Sequence, residues 1–235
     1  MNTVEKVIAV AMAEVGYLEK SKAAYKKDPQ ILYSKTEGAG SDNYTKYGYE
    51  MHKIYPAVMD FPAFWCDCFV DWCFQKAYGI STAKSLLGGN FDDYTVASAS
   101  MYKKHNALGN IPKKGSQVFF TKNGNVSGCH HTGIVYEVDS AYFYTIEGNT
   151  SKASGVIPNG GGVAKKKYSI RQYKGKVLFG YPKYDTANDE LTIVAQEVLM
   201  GLWGNGMERR ARLTDAGYNY SMVQEKVNSI LKGGK

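Results

Sequence analysis

Cys66 stands where a thiol can act as a nucleophile. From Trp65 to about Tyr78, apolar residues fall at Cys66, Phe69, Val70, Cys73, Phe74 and Ala77. That spacing predicts a helix packed on one face. Pro62 just upstream and Asp67 in the first turn mark its start near Trp65. Free backbone N–H groups and the positive end of the helix dipole stabilise a thiolate at such a position. A cysteine nucleophile needs a base, and the base needs an orienting group. The sequence holds 4 histidines, and His130 and His131 open a β pattern running to Val138. The next strand, Tyr142 to Asn149, follows a short turn at Val138–Ser140. A three-residue loop there sets His131 directly opposite Glu147, with Cβ atoms about 5 Å apart on one face. Asn149, two residues on, points to that face too. A one-residue slip would send Glu147 to the opposite face. The chemistry this set could perform is attack on a carbonyl by Cys66, with His131 as base supported by Glu147 and Asn149.

Other uses of the same residues are less well supported. Cys68 and Cys73 read as helix filling, and buried free thiols are usually inert. Alternation turns His130 away from His131. Cys66 and Cys68 lie about 200° apart around a helix and diverge, so they do not make a zinc knuckle. No metal and no cofactor is expected.

The elements that must position these residues follow from the pattern of the chain. Its 235 residues, 44% hydrophobic and 22% charged, suffice for one large domain or a medium one plus a small one. No apolar run reaches membrane-spanning length. Ala11-Met12-Ala13 looks like a leader cleavage site, but the run before it is too short, and Val4, Ile8, Ala11, Met12 and Val15 make a helix face instead. Without an export signal, the four cysteines are expected to be reduced thiols. The net charge of +7 divides into +8 for residues 1–184 and −1 for residues 185–235, the excess lying in short clusters such as Lys113-Lys114 and Lys165-Lys166-Lys167. Each cluster reads as a solvated surface; together they favour an anionic polymer, a bacterial wall or a nucleic acid.

Met1 to about Lys27 reads as mostly helical, Gly38–Tyr49 as loop, and Gly79–Gly109 as mixed. Short β runs then appear at 117–120, 132–138, 142–146, 162–168 and 177–181. Helices first and strands later indicate an α+β fold with an antiparallel sheet. After Pro182 comes a polar connector at 185–188. Three helices follow, Asp189–Trp203, Met207–Leu213 and one capped by Ser221, as an appended bundle. The expected domains are residues 1–184 and 189–235.

At this point the motifs become specific. Trp65-Cys66 with Phe69-Val70 and Trp72, His131-x-Gly133-Ile134-Val135, and Ile146-Glu147-Gly148-Asn149 resemble the CHAP family, the cysteine, histidine-dependent amidohydrolase/peptidases. Gly180-Tyr181-Pro182-x-Tyr184, Val15-Gly16-Tyr17-x-Glu19 and Asn43-Tyr44-Thr45-x-Tyr47-Gly48 resemble its closing and opening segments. The resemblance covers most of residues 1–184. It implies a papain-like core, Cys66 as nucleophile, His131 as base, and Glu147 and Asn149 as supporting groups in peptidoglycan hydrolysis. Asp67 departs from the small residue usual after the cysteine, and Ser116 replaces a usual acid. Asp42 alone does not make the calcium loop of some relatives, so calcium is not expected.

Residues 189–231 resemble the CW-seven cell-wall-binding repeat in a single copy, through Trp203-Gly204-Asn205-Gly206, Arg209, Arg212-Leu213-Thr214-x-Ala216-Gly217-Tyr218 and Val223-Gln224-x-Lys226-Val227-Asn228. That resemblance makes Trp203, Asn205, Arg209 and Arg212 candidate wall contacts. The combined expectation is a bacteriolytic phage endolysin that binds peptidoglycan, with neither nucleic acid nor membrane as partner. It would be made in the host cytoplasm without a signal peptide and act on the wall after release. The expected activity is N-acetylmuramoyl-L-alanine amidase, with a stem or cross-bridge endopeptidase as the alternative. An inactive wall-binding protein and a general papain-like protease are readings of other classes.

Overall fold

The computed structural model describes residues 3–184 and 187–233. Val4–Lys183 form one compact unit, and the described residues from Tyr184 onward belong to a second. In the first, helices α1 (Val4–Ala13), α2 (Lys22–Lys27), α3 (Lys46–Ile54), α4 (Cys66–Tyr78), α5 (Ile80–Leu86) and α6 (Thr95–Lys104) precede the sheet. Strands β1 (Leu108–Gly109), β2 (Gln117–Thr121), β3 (Cys129–Val138), β4 (Tyr142–Thr150), β5 (Gly162–Ser169) and β6 (Val177–Gly180) follow, with a short α7 (Ile170–Tyr173) before the last. The strand order is β1-β6-β2-β3-β4-β5 and every pairing is antiparallel. The expected α+β class with an antiparallel sheet is therefore the observed one.

The sheet has two differently occupied faces. On one, Val118, Phe120, Val135, Phe143, Tyr168, Val177 and Phe179 form an apolar cluster, joined by Ile170 and Tyr173 of α7. On the other, α4 packs against β3 and β4, with α1, α3 and α5 also against α4. Gly148 allows that approach, because a Cβ there would stand 2.5 Å from the Cβ of Phe69. Helix α4 was expected to bury one face. Instead all residues from Cys66 to Phe74 are buried, Asp67 and Asp71 included. Elements on several sides leave these nine residues no solvated face.

Local departures from the expected pattern have simple causes. The N-terminal helix stops at Ala13, and Leu18 and Lys20 make isolated β-bridges before α2 begins. The expected loop Gly38–Tyr49 ends early because the Thr45 hydroxyl accepts from Gly48 N–H and caps α3. The lysine run 165–167 splits by strand alternation. Lys166 is only 6% exposed and donates to the carbonyls of Ser151 and Ala153, whereas Lys165 and Lys167 face solvent.

The second unit holds α8 (Ala187–Leu199), α9 (Gly206–Asp215) and α10 (Tyr220–Gly233). Its core is Val194, Ala195, Val198, Leu213, Val223 and Val227. Ala187 and Asn188 belong to α8, so the expected connector is shorter than 185–188; Asp185 and Thr186 lie outside the described residues. Helix α8 ends at Leu199, not Trp203. Gly201 takes φ +79°, and Leu202 N–H bonds back to Glu197 O, the 6→1 closure of a glycine-terminated helix. Asn219, not Ser221, caps α10 by accepting from Met222 N–H.

Candidate active site

Helix α4 and strands β3 and β4 bring three of the four candidate residues together. Cys66 is the first residue of α4, and Trp65 before it makes no side-chain cap. The first-turn N–H groups are thus not consumed by a capping side chain. His131 is fully buried on β3, opposite Phe120 of β2, whose ring stacks on the imidazole at 5.7 Å. Its Nε2 is 2.9 Å from Glu147 Oε2. The other ring nitrogen, Nδ1, has no conventional partner, and Cys66 is the side chain that interacts with the imidazole beside Glu147.

The register behind this pairing differs from the expected one. His131 and Glu147 are not directly opposite. Ile134 pairs with Ile146 and Val135 with Thr145, which sets Glu147 one diagonal step from His131. Nearer the turn, Glu137 pairs with Tyr144 and Val138 with Phe143, a register displaced by one residue. Continued to the site, that register would turn Glu147 to the opposite face. A bulge at Tyr136 absorbs the extra residue and restores the face that His131 uses. Gly133 then clears the diagonal. A Cβ at this position would stand 2.5 Å from Glu147 Cγ and 2.9 Å from Ile146 O. Gly133→Ala is expected to destabilise the protein by about 1–3 kcal/mol through overpacking and to push Glu147 off the imidazole. Denaturant unfolding together with the His131 titration followed by proton NMR checks this, and a variant equal to wild type in both refutes it.

Glu147 is a fully buried carboxylate with several donors. Besides His131, it accepts from the Thr145 hydroxyl at Oε1 and from Tyr168 at Oε2, 3.3 Å away. Such partners are what a buried charge requires. Burial by itself would push the imidazole's pKa down, but hydrogen bonding and charge from Cys66 and Glu147 outweigh it. His131 is raised from 6.5 to about 10. The Cys66 sulfur and the Glu147 carboxylate thus both favour the cationic form of the imidazole they flank.

Asn149 is placed differently. It sits where the β4–β5 register shifts, in a left-handed conformation at φ +53°. Its Oδ1 accepts from Gly161 N–H at 3.3 Å, and its buried Nδ2 has no partner. It makes no hydrogen bond to His131 or Glu147. Four contributors were not anticipated: Thr145, Tyr168, Phe120 and Glu19. Thr145 could have been found, since it lies two residues before Glu147 on the same strand face. Tyr168 and Phe120 come from other strands. Glu19 is buried and accepts from the Trp65 indole at 2.8 Å, fixing the residue that precedes the thiol.

Cys66, Cys68, Cys73 and Cys129 are all free and buried. Among the described residues, no cluster of three or more His, Cys, Asp or Glu is arranged to hold a metal, and no helix is long and apolar enough to cross a membrane. In the second unit, Trp203 and Arg212 line one cleft of about 560 Å³ with Glu197, Leu202, Asp215 and Ala216. The Trp203 indole donates to Glu197, and Arg212 pairs with Glu208. Asn205 and Arg209 do not line that cleft. They bond to each other, and Arg209 also reaches Gly204 O, closing the turn before α9.

Residues 58–149, which include all four candidate catalytic positions, match the CHAP domain. Residues 193–231 match the CW_7 repeat. A lysozyme of Streptococcus phage Cp-7 is 45% identical over 80 residues, which are 32% of this chain and 23% of that protein. The chain thus spans about a quarter of the length of the curated relative it matches. Among solved structures, the crystal structure of Ly7917 aligns with a TM-score of 0.41 at 15% identity, covering 77% of this chain and 62% of that one. Ly7917 with the hydrolyzing product of MDP aligns over the same shares with a TM-score of 0.37.

Proposed function

We propose that this chain, a CHAP domain followed by one CW_7 repeat, is an endolysin-like peptidoglycan hydrolase that cuts an amide by cysteine catalysis. The observation that carries this reading is the buried Glu147–His131 pair, whose remaining ring nitrogen is left for Cys66. The Cys66 thiolate attacks the amide carbonyl, and charge moves onto the carbonyl oxygen. The Cys66 backbone N–H at the start of α4 meets that oxyanion. Cationic His131 passes a proton to the departing amine as the C–N bond breaks, leaving a thioester. Neutral His131 then takes a proton from water, which attacks the thioester and releases the acid and the thiolate. Glu147 keeps the imidazole in one orientation and stabilises its cation throughout. The second unit raises the local wall concentration by tethering, with Trp203 and Arg212 as its contacts.

The bond we assign is that between N-acetylmuramic acid and L-alanine, with an endopeptidase cut in the stem or cross-bridge as the alternative. Mass spectrometry of purified walls after digestion decides it. A new free N-terminus on L-alanine is the expected product; any other new terminus replaces the amidase by an endopeptidase.

A further inference from the structure

The thiol and the imidazole lie on different layers, and a buried polar chain joins the residues that follow each of them. Asp67 follows Cys66, and Thr132 follows His131. Gln117 of β2 donates from Nε2 to Asp67 Oδ1 at 2.8 Å and to Thr132 Oγ1 at 3.2 Å. Thr132 Oγ1 in turn donates to Val118 O at 2.7 Å, and Ser98 Oγ of α6 donates to Asp67 Oδ2 at 2.7 Å. Asp67, Gln117 and Thr132 are wholly buried and Ser98 is 4% exposed. Apolar packing between helix and sheet is non-directional and allows sliding. Hydrogen bonds weaken steeply once distance and angle depart from a narrow range, so this chain holds the first turn of α4 against β2 and β3 in one place.

We infer that Gln117, with Asp67 and Thr132 as its two anchors, is a positioning residue that sets the separation of the Cys66 thiol from the His131 imidazole. The inference rests on the hydrolase reading for its effect on rate. Its effect on the imidazole does not depend on any substrate. Burial also raises the Asp67 carboxyl to about 7, a tolerance of desolvation that an apolar side chain at this position would not require.

The test compares the full-length chain with Gln117→Met, which removes both donations, and with Thr132→Val and Thr132→Ser. Wall digestion gives kcat and KM, and proton NMR gives the His131 titration. A displacement of the order of 1 Å in a reacting pair can cost about 10²-fold in rate. Gln117→Met and Thr132→Val should each lower kcat by about 10–100-fold with KM unchanged. The His131 midpoint should fall from about 10 toward 6.5, and Thr132→Ser should restore both. Folded variants with wild-type kcat and wild-type His131 titration overturn the inference. So does a loss of kcat with no change in that titration, which would mark a general weakening of the fold. If Gln117→Met does not fold, the Thr132→Val and Thr132→Ser pair decides alone. Wall lysis by Cys66→Ala would remove the cysteine mechanism, and no lysis by wild type would remove the hydrolase reading, while the His131 titration would still report on the positioning chain.

Discussion

Cys66→Ala is expected to abolish the clearing of purified walls while leaving the protein folded. Cys66 is the first residue of α4 and 7% exposed, and its sulfur makes no structural bridge. Losing one buried sulfur there leaves the apolar packing of α4 in place, whereas losing the nucleophile removes the covalent step. In enzymes with an analogous catalytic set, deleting the nucleophile costs up to about 10⁶-fold in kcat. A fall of at least about 10⁴-fold in clearing rate is the expected result here. His131→Ala would be a less clean probe, because it strands the buried Glu147 carboxylate at a cost of about 3–5 kcal/mol. Turbidity loss is the measurement, with the melting transition as control. Equal clearing by Cys66→Ala and wild type would end the cysteine mechanism. If neither clears walls while both bind them, the chain is a wall-binding protein. Cleavage of unfolded casein by wild type, without release from walls, would make it a general protease.

The second large effect concerns pH and Glu147. Because His131 is raised from 6.5 to about 10 in the folded protein, the cationic imidazole persists well above neutrality. Proton delivery to the departing amine should therefore fail on an alkaline limb near 10, not near 6.5. Stability follows the same sign. The folded state binds this proton more tightly than the unfolded chain, so the contribution is fully present below about 6.5. It is lost as pH rises through about 10. Glu147→Gln removes the charge that stabilises the imidazolium but retains the shape of the side chain. It should lower kcat by about 10²–10⁴-fold and move the alkaline limb toward 6.5. It should also flatten the loss of stability between those pH values. Rate–pH profiles and denaturant unfolding at several pH values measure both. An alkaline limb unchanged in Glu147→Gln would show that Glu147 does not support the imidazolium.

The candidate site residues were legible in the sequence, whereas their geometry was only partly so. The apolar spacing from Cys66 to Ala77 defines α4, because a 3.6-residue period with a proline upstream has few alternatives. Alternation along β3 and β4 puts His131 and Glu147 on one face, and the structure keeps that parity. The expected route to it was different. A three-residue loop in plain register would have put the two side chains directly opposite. The structure uses a longer turn and a bulge at Tyr136 to arrive at the diagonal neighbour. Bulges carry no reliable signal in a single sequence, because they record how two strands compete for hydrogen bonds. Asn149 shows the same limit. A period of two puts it beside Glu147, but a register shift in β4–β5 and a left-handed backbone aim it at Gly161.

The sequence by itself determined the candidate nucleophile, base and carboxylate, the α+β order of elements, and the separate helical segment after Pro182. These rest on residue type and on local periodicity, which neighbours along the chain express. Tertiary structure alone decided what surrounds them: the Tyr168 and Phe120 partners, the Glu19–Trp65 bond, and the burial of α4 on every side through Phe74. It also decided that Asp67, which looks like a first-turn dipole residue, is tied through Gln117 to the neighbour of His131. Contacts between residues 11 to 50 positions apart arise from how layers stack and how registers slip. The energies that choose among such arrangements are distributed over the whole core, and no local window of sequence contains them.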